Sequence, residues 1–398
     1  MAEDVEHRPP DLSYPALFLR FLRFGVLAFG GPVAQIAMVR RELVEQERWI
    51  SGSRFNRLLA VMQALPGPEA HELCVHLGIL AKGRIGGLLA GLGFMLPGFA
   101  LMLLAAWACF RFDVDRGLAG AVLVGAQAAV VALIIRAVHR IGEHVLIDRG
   151  LWIIGVGAGA ATLLGAPFWI ILPMGAAVHA MSAGGRRGAA ALLLAVGVVA
   201  LAVWSLGQGG PAVQPAAGGS PPEDGAWPLL FVSGLKAGLL TFGGAYTAIP
   251  FLRQDVVGRG WLDDGTFLDG VALSNVLPAP LIIFATFAGY AVGGFAGAIA
   301  ITAGVFLPAF AFSMIFYDRL EAVVSEPRIR NALDGVAASV VGLIAATAIS
   351  LAIGMVGSPV SIAIACAALA SLYVLKSRYA PPAILLLAGL AGLGLSLI

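Results

Sequence analysis

Residues 23–42, RFGVLAFGGPVAQIAMVRRE, return 213 positions later as residues 236–255, KAGLLTFGGAYTAIPFLRQD. Phe29-Gly30-Gly31 falls on Phe242-Gly243-Gly244, Arg23 on Lys236, Arg40 on Arg253 and Glu42 on Asp255. After one deletion, Trp49 falls on Trp261, Phe55 on Phe267, Gln63 on Asn275, Pro66 on Pro278 and Pro68 on Pro280. After another, Gly78 falls on Gly289, Gly86 on Gly297 and Leu96-Pro97 on Leu307-Pro308. Generic hydrophobicity would not align prolines, tryptophans and charges in one order. The chain is therefore an internal duplication.

The surrounding composition sets the solvent. The 398 residues are 59% hydrophobic and 12% charged, with a mean hydropathy of +0.91. Soluble domains carry about 25% charged residues. At half that share the chain cannot cover a water-facing surface, which excludes a soluble enzyme and a disordered protein and points to a polytopic membrane protein. A net charge of +2 offers nothing to nucleic acid. The 52 glycines and 22 prolines imply close helix packing and broken helices. Cys74, Cys109 and Cys366 sit in apolar runs without CxxC spacing, so neither a disulfide framework nor a metal site is expected, and no cofactor. Residues 1–13 are polar with no cleavage site, so the first apolar run is expected to be retained in the membrane.

Apolar segments run near 14–38, 55–81, 86–110, 118–138, 150–164, 166–182 and 187–206, then near 227–252, 265–291, 294–317, 330–353, 358–375 and 380–397. The spacing predicts an all-α fold of about 12–13 transmembrane segments. Its expected parts are a polar tail (1–13), a first repeat (14–182), a linking transmembrane helix (183–206), a Gly/Pro-rich linker (207–226) and a second repeat (227–398). An odd helix between two even repeats turns the second upside down, giving inverted-topology repeats. Lys82, Arg84, Arg136, Arg140, Arg149, Arg186, Arg187, Arg319, Arg328, Arg330, Lys376 and Arg378 then share one side. The linker, the 354–359 loop and the C-terminus lack Lys and Arg, so the N-terminus is expected in the cytoplasm and the C-terminus outside. The loop 39–57, with Arg40, Arg41, Arg48, Arg54 and Arg57, runs against this. It reads as an amphipathic interfacial helix, or as a sign that the first segment does not fully span.

Two motifs carry the chemistry. Gly30 and Gly31, and their partners Gly243 and Gly244, free the backbone to unwind in mid-segment, and Pro32 removes a donor. Such backbone is tolerated at membrane depth where it faces protein or a water-filled cavity; the alternative is that the glycines only allow close packing. Pro66-Gly67-Pro68 and Pro278-Ala279-Pro280 each interrupt a helix. The half-helix after each break, with proline in its first turn, presents free N–H groups and a positive dipole end to an anion. A simple kink is the plainer alternative.

Charged and polar groups surround these breaks. Arg20 reads as a snorkelling side chain; the matched Arg23 and Lys236 are candidate anion ligands facing a cavity, with snorkelling from near a segment end as the alternative. Glu69, His71, Glu72 and His76 follow the first break, and their repeat partners are apolar. Glu72 and His76 share a helix face and could relay a proton, or serve as structural hydrogen-bonding groups. The run lacks the His-Glu-x-x-His spacing and third ligand of a zinc site. Gln63 and Asn275 could donate to an oxyanion or cap freed carbonyls.

At these motifs the chain resembles the chromate ion transporter family. The resemblance rests on Phe29-Gly30-Gly31-Pro32, Trp49, Gln63, Leu65-Pro66-Gly67-Pro68, Glu72-Leu73, Gly78, Gly83, Gly86, Phe94 and Leu96-Pro97. In the second half it rests on Thr241-Phe242-Gly243-Gly244, Trp261, Pro278, Pro280, Gly289 and Phe306-Leu307-Pro308. It implies a bacterial inner-membrane exporter of chromate, which sulfate resembles in shape and charge. Two positions depart from the family pattern: the second motif reads Pro278-Ala279-Pro280 rather than Pro-Gly-Pro, and Glu69 stands where asparagine is usual.

The sequence thus predicts a secondary active exporter of chromate or a similar tetrahedral oxyanion, coupled to an ion or anion gradient. The expected substrate site is Arg23, Lys236, Gly30, Gly31, Gly243, Gly244, Gln63, Asn275, Gly67, Pro68, Ala279 and Pro280, with Glu69, Glu72, His71 and His76 in coupling. Its expected partners are the small oxyanion and the lipid bilayer, with room for a homodimer and none for nucleic acid. The alternatives are a passive anion channel, an exporter of another small anion and, less favoured, an intramembrane enzyme. No Ser-His pair, recurring metal set or Walker A motif supports the last.

Overall fold

The computed structural model describes residues 8–112, 117–207, 226–242, 244–315, 326–375, 377 and 379–396. Gly243, Arg319, Lys376, Arg378 and nearly all of the 207–226 linker lie outside the described residues. Every regular element among the described residues is a helix. The first half holds α1 (Tyr14–Val26), α2 (Gly31–Val39), α3 (Gly52–Ala64), α4 (Glu69–Arg111), α5 (Gly117–Val145), α6 (Arg149–Leu163) and α7 (Phe168–Ala183). Helix α8 (Arg187–Gly207) follows. The second half holds α9 (Trp227–Leu239), α10 (Ile249–Val256), α11 (Asp264–Val276), α12 (Phe284–Ile315), α13 (Pro327–Gly354), α14 (Pro359–Val374) and α15 (Ala380–Ser396), with 3-10 turns at Ala245–Ala248 and Leu281–Ile283.

The helix starts are written in matched caps. Ser51 accepts from the Arg54 N–H and Asp263 from the Thr266 N–H, at equivalent positions before α3 and α11. Asp148 and Ser358 do the same before α6 and α14.

Among the described residues, four helices are long and apolar enough to cross a bilayer: Glu69–Arg111, Gly120–Val145, Leu281–Ile315 and Pro327–Gly354. Six shorter apolar helices accompany them. Two of the long ones are hairpins. Gly83 has φ 62° and ψ −161°, and Gly294 has φ 58° and ψ −148°, a region open essentially to glycine alone. A Cβ on Gly78 would strike the Gly86 carbonyl, and one on Gly289 the Gly297 carbonyl. Continuous helix would hold such residues about 12 Å apart. The chain therefore reverses at Gly83 and Gly294, dividing α4 into 69–81 and 84–111 and α12 near 293. These are the boundaries the apolar segments near 81–86 and 291–294 imply.

Packing repeats with the sequence. A Cβ on Gly25 would meet Phe94 and Pro97, and one on Gly238 would meet Val305 and Pro308. Gly93 lies on the backbone of Phe18 and Leu22, and Gly304 on that of Phe231 and Leu235. In lipid, small residues of this kind let helices approach closely enough for dispersion to hold them. Farther along, the halves exchange partners. Gly125 of α5 packs on Ala388 and Gly392 of α15, while Gly335 of α13 packs on Gly175 and His179 of α7. The two halves are thus intertwined.

The first segment is interrupted at its paired glycines, as their freedom to unwind implies: α1 ends at Val26 and α2 starts at Gly31, after Gly30 at φ 90°. Two other expectations need correction. The stretch 39–57 is not a separate interfacial helix. Arg40–Gln46 continues α2 as a π-helical turn that buries Glu42, Leu43 and Val44, and Trp49 is fully buried. Nor does Arg20 snorkel: it pairs with Glu47 and its guanidinium lies 5.5 Å from the Trp49 ring centre.

Candidate functional site

The four breaks meet in pairs across the two halves. The Gly67 N–H donates to the Thr241 carbonyl at 2.8 Å, joining Pro66-Gly67-Pro68 of the first half to the Phe-Gly-Gly break of the second. Ala28 and Ala279 occupy the equivalent positions of Thr241 and Gly67. They are joined through Gln35, whose Nε2 donates to both carbonyls at 2.9 Å. The next layer is matched too. A Cβ on Gly67 would contact Ala309, and one on Gly98, the equivalent of Ala309, would contact Ala279. Each Pro-x-Pro break therefore rests on the residue after the Leu-Pro pair of the opposite half.

The half-helix starts differ. Pro68 and Pro280 are cap residues rather than first-turn residues. After Pro68 the first turn holds Glu69 and Glu72, and the His71 and Glu72 N–H groups already donate to the Pro68 carbonyl. The dipole there faces the chain's own carboxyl groups, which favour that end. After Pro280 come Leu281, Ile282 and Ile283, with no acid in the turn. That start is the one without a resident carboxylate.

Glu72 is fully buried, and neither carboxyl oxygen has a hydrogen-bond partner. It lies against Gly67, where a Cβ would strike the carboxylate and where a φ of 149° favours glycine besides. Its ionisable neighbour is Glu69, which is within hydrogen-bond reach of Gln63. An ionised carboxylate buried without a partner is costly, and taking up a proton removes that cost. His71, also fully buried, stands edge-on to Phe306 and Phe310 of the second half, at 4.9 and 4.7 Å between ring centres. His76 is buried one turn beyond Glu72, within the field of Arg54. Asn275 accepts from the Tyr246 hydroxyl and donates to the Val271 carbonyl, both at 2.8 Å. No group of His, Cys, Asp and Glu among the described residues could hold a metal.

The two cations are each paired within their own half. Arg23 meets Glu42 at 3.0 Å, and Lys236 meets Asp255. Each pair crosses its Phe-Gly-Gly break. The Arg23 side chain is 61% exposed and that of Lys236 21%, the latter also lying over the Phe168 ring at 4.7 Å. Phe168 lines a 190 Å³ cavity between the halves, with Thr162, Gln254, Thr347, Ser350 and Arg253. Arg253, the one cation among its lining residues, is held bidentately by Asp264 at 2.6 and 2.7 Å.

Two residues escaped the sequence reasoning. Gln35 has no polar counterpart, since Ala248 occupies its position in the second half, and only matched residues drew notice. Arg140 was counted as a loop cation, yet its charge reaches both Glu69 and the Tyr246 hydroxyl. Only the fold brings α5 to the breaks.

The model of the family described as Chromate transporter matches residues 15–181 and again 229–393. A chromate transport protein of Pseudomonas aeruginosa is 59% identical over 98% of this chain and 94% of its own length. A chromate transport protein of Cupriavidus metallidurans is 33% identical over 87% of this chain and 84% of its own. An uncharacterized transporter of Bacillus subtilis, YwrB, is 31% identical over 36% of this chain, a match that takes up 72% of its own length. No solved structure matches significantly.

Proposed function

The chain belongs to the chromate transporter family, and from that membership we propose that it is a secondary active carrier exporting chromate, or a similar tetrahedral oxyanion such as sulfate, across the bacterial inner membrane. The site is the meeting of the two pairs of breaks. The observation that carries this reading is the reciprocal linkage of Gly67 to Thr241 and of Ala279 to Ala28 through Gln35. Irregular backbone from both halves, held at one place by a few hydrogen bonds, is what a carrier needs if its repeats rock about a central site. The repeats have inverted topology in this proposal, with the N-terminus cytoplasmic and the C-terminus outside. Reporter fusions that place both termini on one side would refute that orientation.

The anion is attracted by Arg140, Arg23 and Lys236 and is bound by N–H groups at the breaks, with the acid-free start at Leu281 presenting its dipole. The amides of Gln63 and Asn275 turn toward it. Glu72, with Glu69, His71 and His76 around it, carries the coupling proton. Nothing in this scheme makes or breaks a covalent bond in the substrate, so the protein acts as a transporter and not as an enzyme.

The test is chromate flux in proteoliposomes, with pH and potential gradients imposed separately and sulfate as competitor. Uphill flux driven by either gradient supports the carrier. Strictly downhill flux identifies a passive anion channel. Absence of chromate flux from folded protein assigns it to another small anion.

A further inference from the structure

Gln35 is 1% exposed and bridges Ala28, close to it in sequence, to Ala279, which lies 244 positions beyond Gln35. Both of its partners, Ala28 and Ala279, present carbonyl oxygens. Only an NH₂ group can donate to two acceptors, so the orientation of the amide is fixed by chemistry. Its Oε1 must then point the other way, and there it is buried without a partner. A buried unpaired acceptor is unfavourable and is relieved when water is admitted.

The equivalent junction has no such feature. Gly67 and Thr241 are joined directly, main chain to main chain, at 2.8 Å. That bond can part only if two backbones move. The junction between Ala28 and Ala279 parts when one side chain turns. The duplication has thus produced one rigid junction and one releasable junction at related positions.

We propose that Gln35 is a positioning residue of the transport cycle: a latch between the Phe-Gly-Gly break of the first half and the Pro-Ala-Pro break of the second. Its release opens the space between the halves, while the Gly67–Thr241 junction stays closed as the hinge. Water entering at Ala28 then satisfies Oε1. The proposal rests on the breaks being the substrate site, but the opening itself can be measured without substrate.

The experiment uses the full chain in proteoliposomes with Cys74, Cys109 and Cys366 replaced. A single cysteine is placed by Ala28→Cys, at a residue that is 1% exposed, and is labelled with a membrane-impermeant maleimide from either side. Ala129→Cys, at a fully buried residue of α5, reports any general loosening. Gln35→Met keeps the volume and removes both donors. It should speed labelling at position 28 by about tenfold or more, leave position 129 protected, and change Vmax for chromate more than KM. Gln35→Glu can donate to one of the two carbonyls when protonated and to neither when ionised, so its labelling at 28 should exceed the parent's throughout and rise further with pH while that of the parent does not. If Gln35→Met also exposes position 129, the pH comparison within folded Gln35→Glu decides. Unchanged labelling at 28 in Gln35→Met, or in Gln35→Glu across pH, overturns the latch whatever happens to flux. Faster labelling of Gln35→Met than of a parent protein that moves no chromate upholds the latch and refutes the substrate assignment instead.

Discussion

Arg23 and Glu42 close a 3.0 Å ion pair across the Phe-Gly-Gly break, and Lys236 and Asp255 close its counterpart at the matched positions of the other half. Charge has been conserved between the halves as pairs, with Lys for Arg and Asp for Glu. Each pair splints an interrupted helix. A dianion at either cation would compete with the resident carboxylate, which makes release as well as capture possible.

The two pairs should differ in their stabilising effect. Lys236 and Asp255 are largely enclosed, whereas most of Arg23 is in the open. Asp255→Asn leaves an enclosed ammonium uncompensated and should lower stability by about 3 kcal/mol. Glu42→Gln should cost about 1 kcal/mol or less, as exposed pairs do. Thermal unfolding of the purified variants measures both. Equal losses would show that exposure does not set the strength of these pairs. Lys236→Arg, which keeps the charge, should be tolerated better than Lys236→Met.

Much of this architecture was legible in the sequence for physical reasons. Pro66 with Pro68 and Pro278 with Pro280 cannot continue a helix, so the breaks could be placed without coordinates. Gly83 and Gly294 sit where the apolar segments change over, and both mark reversals. Arg20 was misread because its partner Glu47 lies beyond the Gly30 break, and position within an apolar run cannot reveal such a contact. Gln35 and Arg140 were missed for a related reason. Their partners come from the opposite half or from a distant helix, and a reading weighted toward matched positions passes over a residue that the duplication did not keep.

Glu72→Gln should fold, because the native carboxyl makes no hydrogen bond that the amide would lose. The amide mimics the protonated acid and cannot release a proton. Chromate flux in this variant should no longer respond to an imposed pH gradient, while exchange at equal pH persists. A response as large as that of the parent would remove Glu72 from the coupling path and leave His71 and His76 to be tested.

The hairpin turns separate backbone strain from crowding. A Cβ on Gly83 meets nothing, yet its φ of 62° with ψ −161° suits only glycine. Gly83→Ala should therefore cost about 1–3 kcal/mol through conformation alone. Gly78→Ala has the opposite problem, since Gly78 lies within a helix but its Cβ would strike the Gly86 carbonyl and Ala90. It should be the more damaging change, because the two arms of the hairpin must separate. Unfolding temperatures that rank Gly83→Ala below Gly78→Ala would contradict the account of the turn.

Arg140 provides the last expectation. It is exposed on α5, and its charge is felt both at Glu69, beside the break of the first half, and at the Tyr246 hydroxyl that holds Asn275 at the break of the second. No ion pair with a carboxylate at salt-bridge distance engages it among the described residues, in contrast to Arg23, Lys236 and Arg253. An unneutralised cation at the approach to a site raises the local concentration of an anion, and the effect weakens as salt screens it over about 8–10 Å. Arg140→Gln should therefore raise KM for chromate several-fold and leave Vmax near that of the parent. The difference should shrink when ionic strength is increased. Arg140→Lys, which keeps the charge without the planar fork, should stay close to the parent if attraction is all that matters. A fall in Vmax with unchanged KM would instead place Arg140 in the moving parts of the carrier and not in the capture of its anion.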